Sequence, residues 1–129
     1  MTTADNQRLR LHPDNRFSNP PAIVDLHGAA AALRAEPNAG ERGHRQETLF
    51  KHGNLTVALF VFDRFSHLPE HVAQGVVIMH VLKGWMKISA GDVEHELKAG
   101  QLLVVQAGVR HGLKAEEESE VLVSVHLGS

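Results

Sequence analysis

The stretch AGQLLVVQAGVRHGL, residues 99–113, decides how the fold is interpreted from the sequence. A short apolar run lies between Gly100 and Gly108, and a histidine follows three residues after the second glycine. Glycines at both ends permit tight turns, so QLLVV is predicted to be a short strand with fixed ends. His111 then begins the next strand. It is either a side chain that faces the interior or an ordinary polar residue that closes a strand.

Similar signals continue on both sides of this stretch and predict a chain of short strands. Their spacing of about ten residues is typical of an all-β sandwich or barrel. A barrel of about eight short strands has an interior wide enough for one small ligand. The predicted elements are two strands around His52-Gly53-Asn54, a continuous apolar strand at 75–82, a hairpin at 85–97, an acidic turn at 116–120 and a last strand, VLVSVHL, at 121–127.

The first part of the chain has a different pattern. Residues 1–21 are polar and contain three prolines, which favours an extended arm laid over the body or over a partner subunit. The segment DLHGAAAALRAEP predicts one short helix, which Asp25 caps and Pro37 ends. We therefore expect one folded domain, with an arm and a short helix at 1–46 and a barrel at 47–129.

Bulk composition excludes several classes of function. The chain has 129 residues, a formal net charge of −2 and no cysteine. The weak charge argues against binding to nucleic acid or to an anionic membrane. The absence of cysteine excludes disulfides and thiolate chemistry. No apolar run approaches the ~20 residues of a membrane span, and the N-terminus lacks the apolar centre of a signal peptide. A cytoplasmic location is expected.

The spacing of these residues resembles the cupin superfamily of RmlC-like jelly-roll barrels, also described as a double-stranded β-helix. The second cupin motif has glycine, five residues, proline, one residue, glycine, two residues and histidine. Gly100, Gly108 and His111 match it, while Gln106 replaces the proline. His71 and Gly84 match the first and last positions of the first motif, and the predicted hairpin lies between the two motifs.

The resemblance also implies a candidate metal site. Members of the superfamily hold one divalent ion (Fe, Mn, Ni or Zn) with two histidines, a carboxylate or glutamine, and the histidine of the second motif. Carried over position by position, His71 and His111 take the first and last places, but Ala73 and Val77 stand where a histidine and an acidic residue are expected. Two of the four ligands are therefore retained.

Neighbouring residues are candidate replacements for the missing ligands. His67 shares strand parity with His71, although four residues along a strand span ~13 Å unless the chain bends at Pro69. Gln74 is a second candidate helper. His80 alternates with residues predicted to lie inside, so we expect it to point out of the barrel.

Three functions are compatible with these patterns. The preferred one is a cupin that binds a small molecule in a pocket lined by His71, Val77, Met79 and His111. The alternative is a metal-dependent enzyme, of dioxygenase or isomerase type, that acts on a small organic substrate. The third is a protein that serves as a stabilising or partner-binding scaffold, for instance as a dimer. The resemblance implies a homodimer, and this third function is compatible with either of the others. The absence of tyrosine excludes the histidine–tyrosine proton transfer of sugar-epimerase cupins.

Overall fold

A computed structural model describes residues 21–37 and 43–128 of the chain. The predicted arm lies outside these residues except for Pro21, and the division at 46/47 stays a prediction. The described residues form one helix and nine strands: α1 (Leu26–Ala35), β1 (His44–His52), β2 (Leu55–Phe62), β3 (His67–His71), β4 (Gly75–Lys83), β5 (Trp85–Ala90), β6 (Val93–Lys98), β7 (Leu102–Val105), β8 (His111–Ala115) and β9 (Ser119–Leu127).

The strands form two antiparallel sheets that enclose the main core. One sheet has the order β1-β2-β9-β4-β7, and the other has the order β3-β8-β5-β6. Burial alternates along β4, where Val77, Met79 and Val81 face inward and Ile78 and His80 face outward. This arrangement is a jelly-roll barrel, so the predicted all-β fold is confirmed.

The helix covers part of the outer face of the larger sheet. Asp25 is its N-cap, and its side chain accepts a hydrogen bond from the Gly28 backbone N–H at 3.1 Å. Leu33 is fully buried against the sheet, together with Leu59 and Val61. The predicted helix and its cap are confirmed. No helix of the described residues is long and apolar enough to cross a membrane.

Two local features differ from the pattern-based prediction. The acidic turn ends earlier than expected, because β9 begins at Ser119, which is fully buried. The Ser119 hydroxyl accepts a hydrogen bond from the Trp85 backbone N–H at 3.0 Å, which explains how a serine is accommodated there. The segment HLPEH, β3, is paired with β8 although it has no apolar alternation.

Candidate functional site

A cavity of about 230 Å³ opens between the two sheets at one end of the barrel. Its lining comes from strands of both sheets, so the barrel as a whole shapes it. Most of the lining is apolar, and the volume lies below the range of roughly 300–1,000 Å³ that is typical of pockets for drug-sized ligands. The described residues that line it are Gln46, Thr48, Thr56, Ala58, Phe60, Leu68, His71, Ala73, Val77, Met79, His111, Leu113, Val123 and Val125.

Two histidines from adjacent strands form the main polar feature of this cavity. His71 on β3 is paired directly with His111 on β8, and their ring centroids are 4.3 Å apart in an edge-on arrangement. His111 is 2% exposed, whereas His71 is exposed to solvent. His111 therefore forms part of the buried cavity wall, and His71 lies at the opening of the cavity.

Backbone carbonyls fix the hydrogen-bonding state of both rings. Nδ1–H of His71 donates to the Pro69 carbonyl oxygen at 3.1 Å, and Nδ1–H of His111 donates to the Val109 carbonyl oxygen at 3.0 Å. A carbonyl oxygen can only accept a hydrogen bond. In each ring the proton is therefore assigned to Nδ1, the atom that faces the carbonyl. Nε2 is then the atom of each ring that can contact a bound molecule. It accepts a hydrogen bond in the neutral ring and donates one in the protonated ring.

The rest of the lining carries no formal charge among the described residues. Gln46, Thr48 and Thr56 contribute polar groups from the β1–β2 side of the cavity. Arg110 and Glu70, which precede His111 and His71 in the sequence, form an exposed charged pair with their side chains 4.0 Å apart. Burial of a multiply charged ligand would therefore lack a compensating charge from this lining.

The structure brings the four predicted pocket residues around one cavity, namely His71, Val77, Met79 and His111. Ala73, at the position of a missing metal ligand, lines the same cavity. His80 lies on the outward side of β4, as expected from the alternation.

The two candidate helpers, His67 and Gln74, are not among the lining residues. The expectation that His67 shares a strand side with His71 is corrected by the register of β3. Leu68 is paired with Leu113 and His71 with His111, so the strand contains an irregularity between Leu68 and His71. Leu68 and His71 therefore face the cavity together, and His67 lies on the other side of the strand.

The residues present do not fit a metal centre built by protein ligands. Two imidazoles are adjacent, but the described part of the chain contains no group of three His, Cys, Asp or Glu residues that could hold a metal ion. Stable sites for first-row metals use more protein donors than two. Ala73 and Val77 offer only aliphatic carbon at the places where the resemblance expects donors.

Sequence reasoning named Phe60 as a residue that could line a pocket but missed the other lining residues that β1, β2 and β9 supply. The inward positions of β2 and β9 alternate regularly, for example Ala58 and Phe60 on β2 and Val123 and Val125 on β9. Period-two alternation could have identified them once both strands were assigned to the larger sheet. A larger depression of about 430 Å³ lies outside the barrel beside α1, but its described lining is entirely aliphatic or aromatic and offers no polar group to orient a ligand.

Comparison with known proteins assigns the family. The family model described as "Cupin domain" matches residues 65–126, which contain both sequence motifs. The chain therefore carries a cupin domain and is a small cupin-domain protein, as the motif spacing predicts. No curated protein matches the sequence.

Solved structures with the same fold come from several bacteria. A conserved protein of unknown function from Streptococcus pyogenes is 21% identical, with a TM-score of 0.66 over 87% of this chain and 92% of its own. A cupin superfamily protein from Desulfitobacterium hafniense is 20% identical, with a TM-score of 0.69 over 88% of this chain and 99% of its own. An RmlC-like cupin from Desulfovibrio desulfuricans is 24% identical, with a TM-score of 0.63 over 73% and 92%. At these identities the likeness shows the fold alone.

Proposed function

We propose that this cupin binds a small, mainly apolar organic molecule with one weakly acidic O–H group, such as a single-ring carboxylic acid or phenol. The observation that carries the proposal is the His71–His111 pair, with both Nδ1 atoms bonded to carbonyls, in an otherwise uncharged cavity. The apolar lining would accommodate the body of the ligand. The two Nε2 atoms would contact its acidic group.

The acidic O–H group is favoured because it matches either protonation state of the histidines. A neutral acid donates its hydrogen to an Nε2 lone pair, and the corresponding anion accepts a hydrogen bond from Nε2–H. Phosphorylated or dianionic molecules are disfavoured because the described lining holds no lysine or arginine. A cavity of about 230 Å³ also limits the ligand to less than drug size.

The test is a saturation-transfer NMR screen of single-ring carboxylic acids and phenols, each paired with its methyl ester or ether and with a phosphorylated analogue. We expect the acids and phenols to bind and their blocked or phosphorylated counterparts to bind at least about tenfold more weakly, since a hydrogen bond to a charged group is worth roughly 1.5–3 kcal/mol. Ala73→Phe, which fills the cavity, should abolish binding. His111→Gln should weaken binding about tenfold, because it removes one of the two imidazoles.

His95→Gln on β6 is the matched control, because His95 is half-buried and does not line the cavity. It should bind as the wild type does. Binding that survives Ala73→Phe, or a screen in which no acid or phenol binds, would rule the proposal out.

The alternative of a metal-dependent enzyme has less support, because the described residues supply only two adjacent imidazole donors. Elemental analysis of untagged protein separates the two functions. Stoichiometric iron, manganese, nickel or zinc that is lost in His71→Gln and His111→Gln would favour the enzyme. No metal in the wild type, or a metal content that these substitutions leave unchanged, would favour a binding site in which the two histidines hold no metal.

A homodimer is also part of the proposal. The outward side of β4 and β7 exposes Val76, Ile78, Leu102 and Val104, whereas the main strand contacts of α1 are with β1 and β2. Ile78 lies opposite Val104 across this strand pair, and β7 is an edge strand. An uncharged, apolar face can pack against the same face of a second copy without bringing like charges together. We also propose a cytoplasmic location, which fractionation of cells would test.

A further inference from the structure

The strand that carries His71 pairs irregularly with its neighbour. Leu68 of β3 lies opposite Leu113 of β8, and His71 lies opposite His111. Two residues of β3, Pro69 and Glu70, therefore face one residue of β8, Gly112. One extra residue on one strand of an antiparallel pair is a β-bulge.

The bulge decides which side chain reaches the cavity. In a regular ladder, the residue two positions after Leu68 would lie opposite the residue two positions before Leu113. That pairing would place Glu70, not His71, beside His111. Directly opposed residues share one face of a sheet, so the carboxylate would then point into the cavity. The extra residue turns Glu70 to the outer face and turns His71 inward.

Contacts on the outer face hold Glu70 in that position. A Cβ atom added to Gly112 would approach Glu70 Cγ to 3.1 Å and the Glu70 backbone nitrogen to 3.2 Å, so the side chain lies directly over the glycine. The Ser89 hydroxyl, on β5, donates to the Glu70 carboxylate at 3.3 Å. The same hydroxyl accepts a hydrogen bond from the Gly112 N–H at 3.1 Å. Ser89 therefore connects β5, β8 and the bulge.

Two further residues, Pro69 within the bulge and Arg110 immediately before the facing strand, are suited to it. Pro69 has no N–H, so its place in the bulge leaves no backbone donor unpaired. Its carbonyl oxygen accepts the hydrogen bond from Nδ1–H of His71. The Arg110 guanidinium lies 4.0 Å from the Glu70 carboxylate on the same outer face.

We propose that Glu70 is a positioning residue: its contact with Ser89 across Gly112 maintains the bulge that directs His71 toward His111 and the cavity. The geometry of this device does not depend on any ligand. Its consequence for binding rests on the proposed function, in which His71 contacts the ligand.

The test measures the distance between the two imidazole rings without a ligand. Ring protons on His71 and His111 should give a nuclear Overhauser cross-peak in the wild type, because the ring centroids are 4.3 Å apart. We expect Glu70→Ala and Ser89→Ala to weaken that cross-peak, and Glu70→Ala/Ser89→Ala to remove it. Glu70→Gln should restore it relative to Glu70→Ala, since the amide oxygen still accepts a hydrogen bond from Ser89.

Glu94→Ala is the matched control. Glu94 is an exposed glutamate on β6, paired with Ser89 on the side of β5 that faces away from β8. The substitution should leave the cross-peak unchanged. Amide exchange of Gly112 gives a second measurement, because Ser89→Ala removes the acceptor of its N–H and should accelerate exchange. Wild-type cross-peaks in the double variant, or a weakened cross-peak in Glu94→Ala, would overturn the proposal.

Ligand titration then separates this inference from the proposed function. A weakened cross-peak together with weaker binding of an acid or phenol supports both. A weakened cross-peak with wild-type binding supports the positioning role of Glu70 and contradicts the proposed role of His71 in binding.

Discussion

Gly84 and Ser119 approach each other closely where β4 leads into β5. The Ser119 side chain is fully buried, and its hydroxyl also donates to the Glu117 carbonyl oxygen at 2.8 Å. A Cβ atom at position 84 would overlap the Ser119 hydroxyl and the Glu118 carbonyl. Gly84 also has φ of +98°, a conformation that L side chains rarely adopt. Any side chain at position 84 would therefore meet both an unfavourable backbone conformation and a steric overlap.

We predict that Gly84→Ala lowers the free energy of unfolding by about 3 kcal/mol or more, because strain and overlap add. Gly100→Ala is the control, since Gly100 has φ of +91° with no atom within 4 Å of an added Cβ. It should cost only the backbone strain, roughly 1–2 kcal/mol. Urea unfolding of both variants measures the difference. Equal losses would show that the contact with Ser119 adds nothing.

At the residue scale, the sequence predicted those side chains whose place follows from motif spacing. His111 was identified because Gly100 and Gly108 mark the ends of the preceding strand, and His71 because the resemblance places it at the first histidine of the first cupin motif. The side of the strand on which His67 lies could not be predicted, because parity counting assumes a regular strand. The bulge depends on contacts that Gly112 and Ser89 make from other strands, and no local pattern in β3 encodes them.

The helix α1 stabilises the barrel from outside rather than by shaping the cavity. Leu33 is fully buried in a cluster with Leu49, Leu59 and Val61 on the outer side of the larger sheet. Arg34, one residue further on, forms ion pairs with Glu118 at 3.2 Å and Glu120 at 3.0 Å. The cavity lies on the opposite side of this sheet.

We predict that Leu33→Ala lowers the free energy of unfolding by about 2–5 kcal/mol, as expected for deletion of a buried leucine side chain. Ligand binding under native conditions should not change, because the substitution does not touch the cavity lining. Ala32→Ser, on the exposed side of the helix, should cost no more than about 0.5 kcal/mol. Chemical unfolding tests both. A loss below about 1 kcal/mol for Leu33→Ala would mean that the helix is not packed as described.

At the scale of elements, alternation and turn glycines identified most strands. The pair β1–β2, the β5–β6 hairpin and β7 follow directly from these signals. β3 did not follow from these signals, because HLPEH contains a proline and its residues do not alternate between apolar and polar. The start of β9 was missed because Ser119 follows a run of glutamates, and part of the hydrogen bonding that allows its burial comes from Trp85, 34 residues away in the sequence.

At the scale of the whole molecule, the described residues enclose a cavity between the two sheets and leave apolar side chains of β4 and β7 exposed on the outer face. We predict that the protein is a dimer in solution, and that Ile78→Lys or Val104→Lys converts it to a monomer, because a charge in the middle of a self-complementary face loses its hydration on assembly. Light scattering coupled to size-exclusion chromatography gives the mass directly.

Val93→Lys is the control for this prediction. Val93 is 56% exposed on β6 of the smaller sheet, away from the proposed face. This variant should remain a dimer. A monomeric wild type, or a dimer that persists in both Ile78→Lys and Val104→Lys, would show that this face does not mediate assembly.

The central claim is that His71 and His111 together bind the polar group of a small acidic molecule. The most direct measurement is a long-range ¹H–¹⁵N correlation spectrum of the imidazole nitrogens, recorded with and without an acid or phenol found in the screen. We predict that Nδ1 carries the proton in both rings of the free protein, and that the Nε2 resonances of both rings shift on binding while those of His95 do not. Binding that leaves both Nε2 resonances unchanged would contradict it.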